Sequence, residues 1–238
     1  MYKKVWIVFV LMVSVFVTSA QEMLTKQEIE LEAGDGLVLT GDFYPQVEAS
    51  VGMLLLHMNG SDRNGWSVFI PELQAAGYAV LAVDIRGFGS TGGTRDFELA
   101  QTDVQVWLDW LKSQDGVTGV AIVGASIGAN LALIGCANDP DCLTVIALSP
   151  GEDFFGVQPA EAISIGLSDR PILLVASLRD DESAQAVRAF AQIATGVFSV
   201  RMYDRSQHGT AYFTGRGVEQ KIATFIGWLD EYAIVPTD

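Results

Sequence analysis

The chain has 238 residues, half of them hydrophobic, which is enough to bury one substantial core in a single domain. It carries 29 acidic residues against 14 basic ones, a formal charge of −15. Such a surface repels phosphate backbones and argues against nucleic acid as a partner. The two histidines, His57 and His208, and the two cysteines, Cys136 and Cys142, form no metal-ligand pattern, so no metal is expected.

Residues 1–20 stand apart. Lys3 and Lys4 open a short positive region, Val5 to Val17 is apolar, and Thr18-Ser19-Ala20 ends in small residues. This layout predicts a secretory signal cleaved before Gln21, with one domain over 21–238. The apolar stretch is short for a membrane span of about 20 residues. Cleavage leaves 12 basic residues and a charge of about −17. The protein is then expected in the periplasm or outside the cell, without stable membrane insertion. In that oxidising setting Cys136 and Cys142 are expected to close a small disulfide loop.

Strand and helix patterns alternate along the rest. Residues 26–32 and 37–44 read as strands around the turn Ala33-Gly34-Asp35-Gly36, a hairpin signal. Residues 51–56 (VGMLLL) read as a buried strand, followed by a helix over 66–76 that ends at Gly77. Strand 79–83, helix 99–113, strand 119–123 and helix 126–137 come next. Strand 144–148, a short helix near 160–165, strand 171–176, helix 182–194, strand 197–203 and helix 217–232 complete the pattern. The interior strands are near-continuous apolar runs, the mark of a mostly parallel sheet covered on both faces. The irregular stretch 149–169 is too short for a large cap domain.

Gly124-Ala125-Ser126-Ile127-Gly128 lies between the apolar run Val120–Val123 and the Ala/Leu-rich run Ala129–Ala137. A strand–turn–helix setting around G-x-S-x-G is what a nucleophile elbow requires. A serine hydroxyl needs a base to take its proton. In the chain order Ser, acid, His, only His208 follows Ser126, in a polar loop after strand 197–203. The acid is expected from the loop after strand 171–176. Asp180 is preferred there over Asp181, which with Glu182 suits the first turn of the next helix; Asp153 is a weaker candidate. A tetrahedral intermediate needs two amide donors. Ile127 is expected to supply one, and Met58, in the loop His57-Met58-Asn59-Gly60, the other, with Asn59 as the alternative. His57 precedes the serine and is expected to bond loop backbone.

Leu54-Leu55-Leu56-His57, Asp84-Ile85-Arg86-Gly87-Phe88-Gly89-Ser90, the elbow, Ser177-Leu178-Arg179-Asp180-Asp181 and Gln207-His208-Gly209-Thr210 together resemble the α/β-hydrolase superfamily. The compact pattern is similar to capless dienelactone hydrolase-like proteins and small carboxylesterases, over about residues 36–232. The resemblance implies a sheet of about eight strands, with Ser126 as nucleophile, His208 as base and Asp180 as acid. Two departures stand out. Dienelactone hydrolases proper use a cysteine nucleophile, and the family's usual His-Gly in the oxyanion loop is His57-Met58 here.

Gly87-Phe88-Gly89-Ser90-Thr91-Gly92 also matches G-x-G-x-x-G, but the next strand runs into the elbow and no dinucleotide site is expected. Trp107, Trp110 and Trp228 are read as core. The expected function is hydrolysis of a small carboxylic ester through an acyl-enzyme, a serine chemistry that requires no organic cofactor. A peptidase or acyl transferase with the same three residues is the first alternative, and a non-catalytic binding protein of the cell envelope the second.

Overall fold

The computed structural model describes residues 26–236. The expected signal segment lies outside the described residues. Eight strands form one sheet in the order β1-β2-β4-β3-β5-β6-β7-β8. They are β1 Gln27–Glu32, β2 Val38–Tyr44, β3 Val51–Leu56, β4 Ala79–Val83, β5 Gly119–Ala125, β6 Cys142–Leu148, β7 Ile172–Ser177 and β8 Phe198–Tyr203. The hairpin β1–β2 and the pair β2–β4 are antiparallel, and every other pair is parallel. The parallel strands β3, β4, β5 and β7 are buried along their whole length, as a sheet covered on both faces demands.

Among the described residues five helices cover the sheet: α1 Ile70–Ala75, α2 Phe97–Lys112, α3 Ile127–Asn138, α4 Asp181–Ile193 and α5 Val218–Tyr232. Alternation along each strand divides the apolar side chains between two cores. Leu54 and Leu56 of β3 join Val104, Trp107, Leu131 and Phe190 from α2, α3 and α4. Met53 and Leu55 join Leu73, Phe225 and Leu229 from α1 and α5, with Trp66 and Phe69 just before α1. Each fully buried Leu or Phe of this kind stabilises the fold by roughly 1.5–3 kcal/mol. Trp107 and Trp228 are buried; Trp110 packs at the edge of the first core, its ring edge-on to Phe43.

The expected helix over 66–76 is two elements. A single 3-10 turn, Arg63–Trp66, is capped by Asp62, and α1 begins only at Ile70. Pro71 has no N–H and fits only a first turn, which makes that start. Helix α2 begins two residues early because Asp96 accepts the Leu99 N–H at 2.9 Å. The short helix near 160–165 is one π turn, Ala162–Gly166. No cap is inserted between β6 and β7. Cys136 near the end of α3 and Cys142 at the start of β6 form a disulfide, with Cα atoms 5.2 Å apart. Among the described residues no helix is long and apolar enough to cross a membrane.

Candidate active site

Every predicted site residue lies at the carboxyl edge of the parallel strands, where such sheets collect functional loops. Ser126 links β5 to α3 with φ 56° and ψ −122°, a conformation rare for any residue but glycine. Neighbouring packing holds it there. A Cβ on Gly124 would collide with the Gly128 carbonyl, and one on Gly128 with the carbonyls of Leu56 and His57. The two glycines thus let the start of α3 sit directly on β5 and on the end of β3. The Ser126 N–H donates to the Leu148 carbonyl at 2.8 Å, and its own carbonyl accepts from Ala129, so the turn is bonded on both sides.

The contact of Gly128 with Leu56 and His57 sets the loop after β3 beside the first turn of α3. Among the described residues neither the Met58 N–H nor the Ile127 N–H finds a protein acceptor. Ile127 has none because a helix leaves its first amides unpaired. Met58 has a negative φ, so the methionine needs none of the freedom that glycine would offer at this position. Asn59 is exposed.

His208 follows β8 in an extended conformation, just before a 3-10 turn, Gly209–Phe213. Its Nδ1 lies 2.7 Å from Oδ2 of Asp180, the residue that leads into α4. Asp181 is instead the exposed first residue of that helix. Asp153 is fully exposed and accepts from the Gly156 N–H and the Gln158 amide at 2.7 Å, which hold its carboxyl below the usual range. Gly209 has φ +55° and rests against the elbow: a Cβ there would come 2.7 Å from the Met58 sulfur and 3.4 Å from Ala125 Cβ. The His208 loop therefore touches both the loop after β3 and the residue before Ser126. The Ser126 hydroxyl makes no hydrogen bond to His208 in this structure.

Several residues that hold this arrangement gave no signal in the sequence. The Gly209 N–H donates to Ser149 Oγ at 3.1 Å; Ser149 Oγ lies 3.4 Å from the Tyr212 hydroxyl, which is 3.1 Å from Ser177 Oγ. All three hydroxyl residues are fully buried, and Ser177 in turn accepts the Asp180 N–H through its carbonyl. A chain of buried hydroxyls thus joins the ends of β6 and β7 to the His208 loop. Lys221 of α5 donates to Gln207 and to the Tyr212 carbonyl, and burial pushes its amine down.

On the other side, Asp84 after β4 accepts from the Arg63 N–H at 2.8 Å, from the Arg63 guanidinium, and from Ser90 N–H at 2.7 Å. This ties the segment that follows the loop after β3 to the end of β4. It also explains the G-x-G-x-x-G match. Gly89 is packed against the Asp84 carboxylate, and the Gly87 N–H closes back on the Gly92 carbonyl, so no helix opens at the glycines. Among the described residues no group of three or more metal-ligating side chains is placed to hold an ion.

The family model for the alpha/beta hydrolase fold matches residues 53–188. The chain belongs to this family. Among solved structures, it is similar to an esterase of Pyrococcus furiosus at 17% identity and a TM-score of 0.75, covering 87% of this chain and 90% of that one. A dienelactone hydrolase of Anabaena variabilis matches at 20% identity and 0.73, covering 87% and 98%. A polyketide transferase of Stachybotrys chlorohalonatus is 28% identical over 157 residues, 62% of this chain and 53% of that protein. The chain spans about half or less of the length of the curated relatives it matches. Among the described residues this α/β hydrolase carries no cap between β6 and β7.

Proposed function

We propose that this protein is a serine hydrolase of carboxylic esters, with Ser126 as nucleophile, His208 as general base and Asp180 as the acid that orients it. The observation that carries the reading is the Asp180–His208 pair, 2.7 Å apart, in a loop packed against Met58 and against Ala125, the residue before the serine of the strained strand-end turn. With its Nδ1 proton directed at Asp180, the neutral His208 ring keeps the lone pair on Nε2. That nitrogen takes the Ser126 proton as Oγ attacks the ester carbonyl, and Asp180 stabilises the cation that forms. The unpaired amides of Ile127 and Met58 receive the oxyanion. His208 then gives its proton to the leaving alcohol. It next removes one from water, which releases the acid and restores Ser126.

The likeness to an esterase and a dienelactone hydrolase supports hydrolysis of a small ester. The relative named as a transferase favours one second reading, in which an alcohol rather than water takes the acyl group. The Cys136–Cys142 bridge supports action in an oxidising compartment, periplasmic or outside the cell. The deciding experiment is fluorophosphonate labelling together with turnover of p-nitrophenyl esters. Both are expected in the wild type and lost in Ser126→Ala; a folded wild type that neither labels nor turns over would end the proposal. Product analysis with added alcohol separates hydrolysis from transfer.

A further inference from the structure

An open cleft of about 480 Å³ is lined by Asn59, Arg95, Asp96, Phe97, Glu98 and Phe155. It borders the site described above at two points. Asn59 adjoins Met58, and the ring of Phe154, the neighbour of Phe155, lies at 73° to the His208 ring, with centroids 6.4 Å apart. Phe155 is the unusual member. It is a large apolar residue left 62% exposed, and it has φ +55°. With Gly156 at φ +86° it forms the two central positions of a tight turn closed by Phe154 and Val157. Asn, Asp and Gly are the residues that accept such turns readily; phenylalanine is strained there.

The turn is held from beneath. The buried side chain of Asn130 binds the N–H and carbonyl of Gly151 and the carbonyl of Val157, and Asp153 accepts the Gly156 N–H. One face of the Phe155 ring stacks on Phe97, with centroids 5.0 Å apart and planes at 24°. The rest of the ring is exposed, and Phe155 lines the cleft. Burial of its own ring therefore does not account for a phenylalanine in this turn.

We propose that the cleft binds an aromatic ring of the substrate, stacked on the outward face of Phe155, so that the enzyme prefers esters carrying an aryl group. This deepens the esterase reading and rests on it. A flat ring matches a flat platform whose remaining rim is polar. A long alkyl chain would lie against Asn59, Arg95 and Glu98. Aromatic pairs gain beyond buried area, so an aryl ester is expected to exceed its saturated-ring analogue by about five-fold in kcat/KM.

The test uses methyl hydrocinnamate against methyl cyclohexanepropanoate, and benzyl acetate against cyclohexylmethyl acetate, with methyl octanoate as the chain control. An aryl preference in either pair, falling toward unity in Phe155→Leu and Phe155→Asn, is the expected result. It identifies the acyl or the alcohol side as the one in the cleft. Equal rates within both pairs, a preference that survives both substitutions, or methyl octanoate as the best substrate would overturn the inference. Phe155→Asn is also expected to melt no lower than the wild type, since asparagine accepts the turn; a large drop in Tm with the preference intact would make Phe155 a structural residue. If the wild type cleaves no ester, the esterase reading falls and binding decides. Full-length Ser126→Ala is titrated with methyl hydrocinnamate and followed by amide chemical shifts. Saturable shifts at Phe155 and Asn59, tighter than for the cyclohexyl analogue and lost in Phe155→Leu, support the aryl site; no binding up to the ligand's solubility overturns it.

Discussion

The two histidines lie at the same edge of the same sheet, one after β3 and one after β8, and their surroundings give them opposite properties. His57 is wholly buried. Its Nε2 accepts the Ile85 N–H at 3.0 Å, and its Nδ1 donates to the Met58 carbonyl at 2.8 Å. Both nitrogens are spent on backbone, and burial pushes the ring's pKa below its ordinary value of 6.5. His208 is partly exposed, and only its Nδ1 is engaged, by a carboxylate. A histidine with no free nitrogen can hold a loop; one with a nitrogen to spare and a partner that stabilises its cation can move a proton. Residue type is shared, and the hydrogen-bond partners make the difference.

The sharpest break of this comparison is His208→Ala. Ester turnover is expected to fall by at least about a thousand-fold, with a melting temperature near that of the wild type. Next is His57→Ala, which strands the Ile85 N–H and the Met58 carbonyl in the interior. Unfolding in urea is expected to show a loss of about 3 kcal/mol. An activity loss as large as that of His208→Ala without loss of stability would contradict the division of roles. Third is Tyr212→Phe, which removes the hydroxyl between Ser149 and Ser177 while keeping the ring. Its kcat is expected to fall roughly ten-fold with KM little changed, because only the placement of the His208 loop is affected. The smallest effect is on pH dependence. The unfolded chain takes a proton at His57 near pH 6.5, whereas the folded chain resists it. The stability contributed by His57 is therefore complete above that pH and is lost as the pH falls below it. The stability gap between the wild type and His57→Gln should narrow between about pH 7 and about pH 5 in urea titrations. A gap that stays constant would mean His57 takes up its proton equally in both states.

The elbow was legible because its requirements are local. The glycines at 124 and 128, the apolar run before them and the helical run after them all lie within about twenty residues of Ser126. The hairpin, the buried strands and the wider alternation were legible for the same reason. Helix starts were less so: α1 and α2 begin where Pro71 and Asp96 dictate, and one side chain decides each.

Arg63, Ser149, Tyr212 and Lys221 were missed, and no short-range pattern marks them; Asp84 stood in a recognised motif, but its bonds to Arg63 were not foreseen. Each acts on a residue brought near only by the order of the strands. The choice between Asp180 and Asp181, one residue apart on the same strand-to-helix connection, was open to argument from helix electrostatics; in the structure it is the Asp180 carboxylate that lies 2.7 Å from His208. Phe155 passed as part of an irregular stretch, since its exposure and its positive φ exist only once Asn130 has anchored the turn.

By itself the chain determined its periodicities, its turn glycines and the serine held between them, since these follow from contacts among near neighbours. Only the tertiary structure decided that Cys136 reaches Cys142, that His208 meets Asp180 while His57 is buried, and that an aromatic ring faces solvent beside them. Those outcomes depend on which strand ends become neighbours. Distance along the chain says little about distance across a sheet.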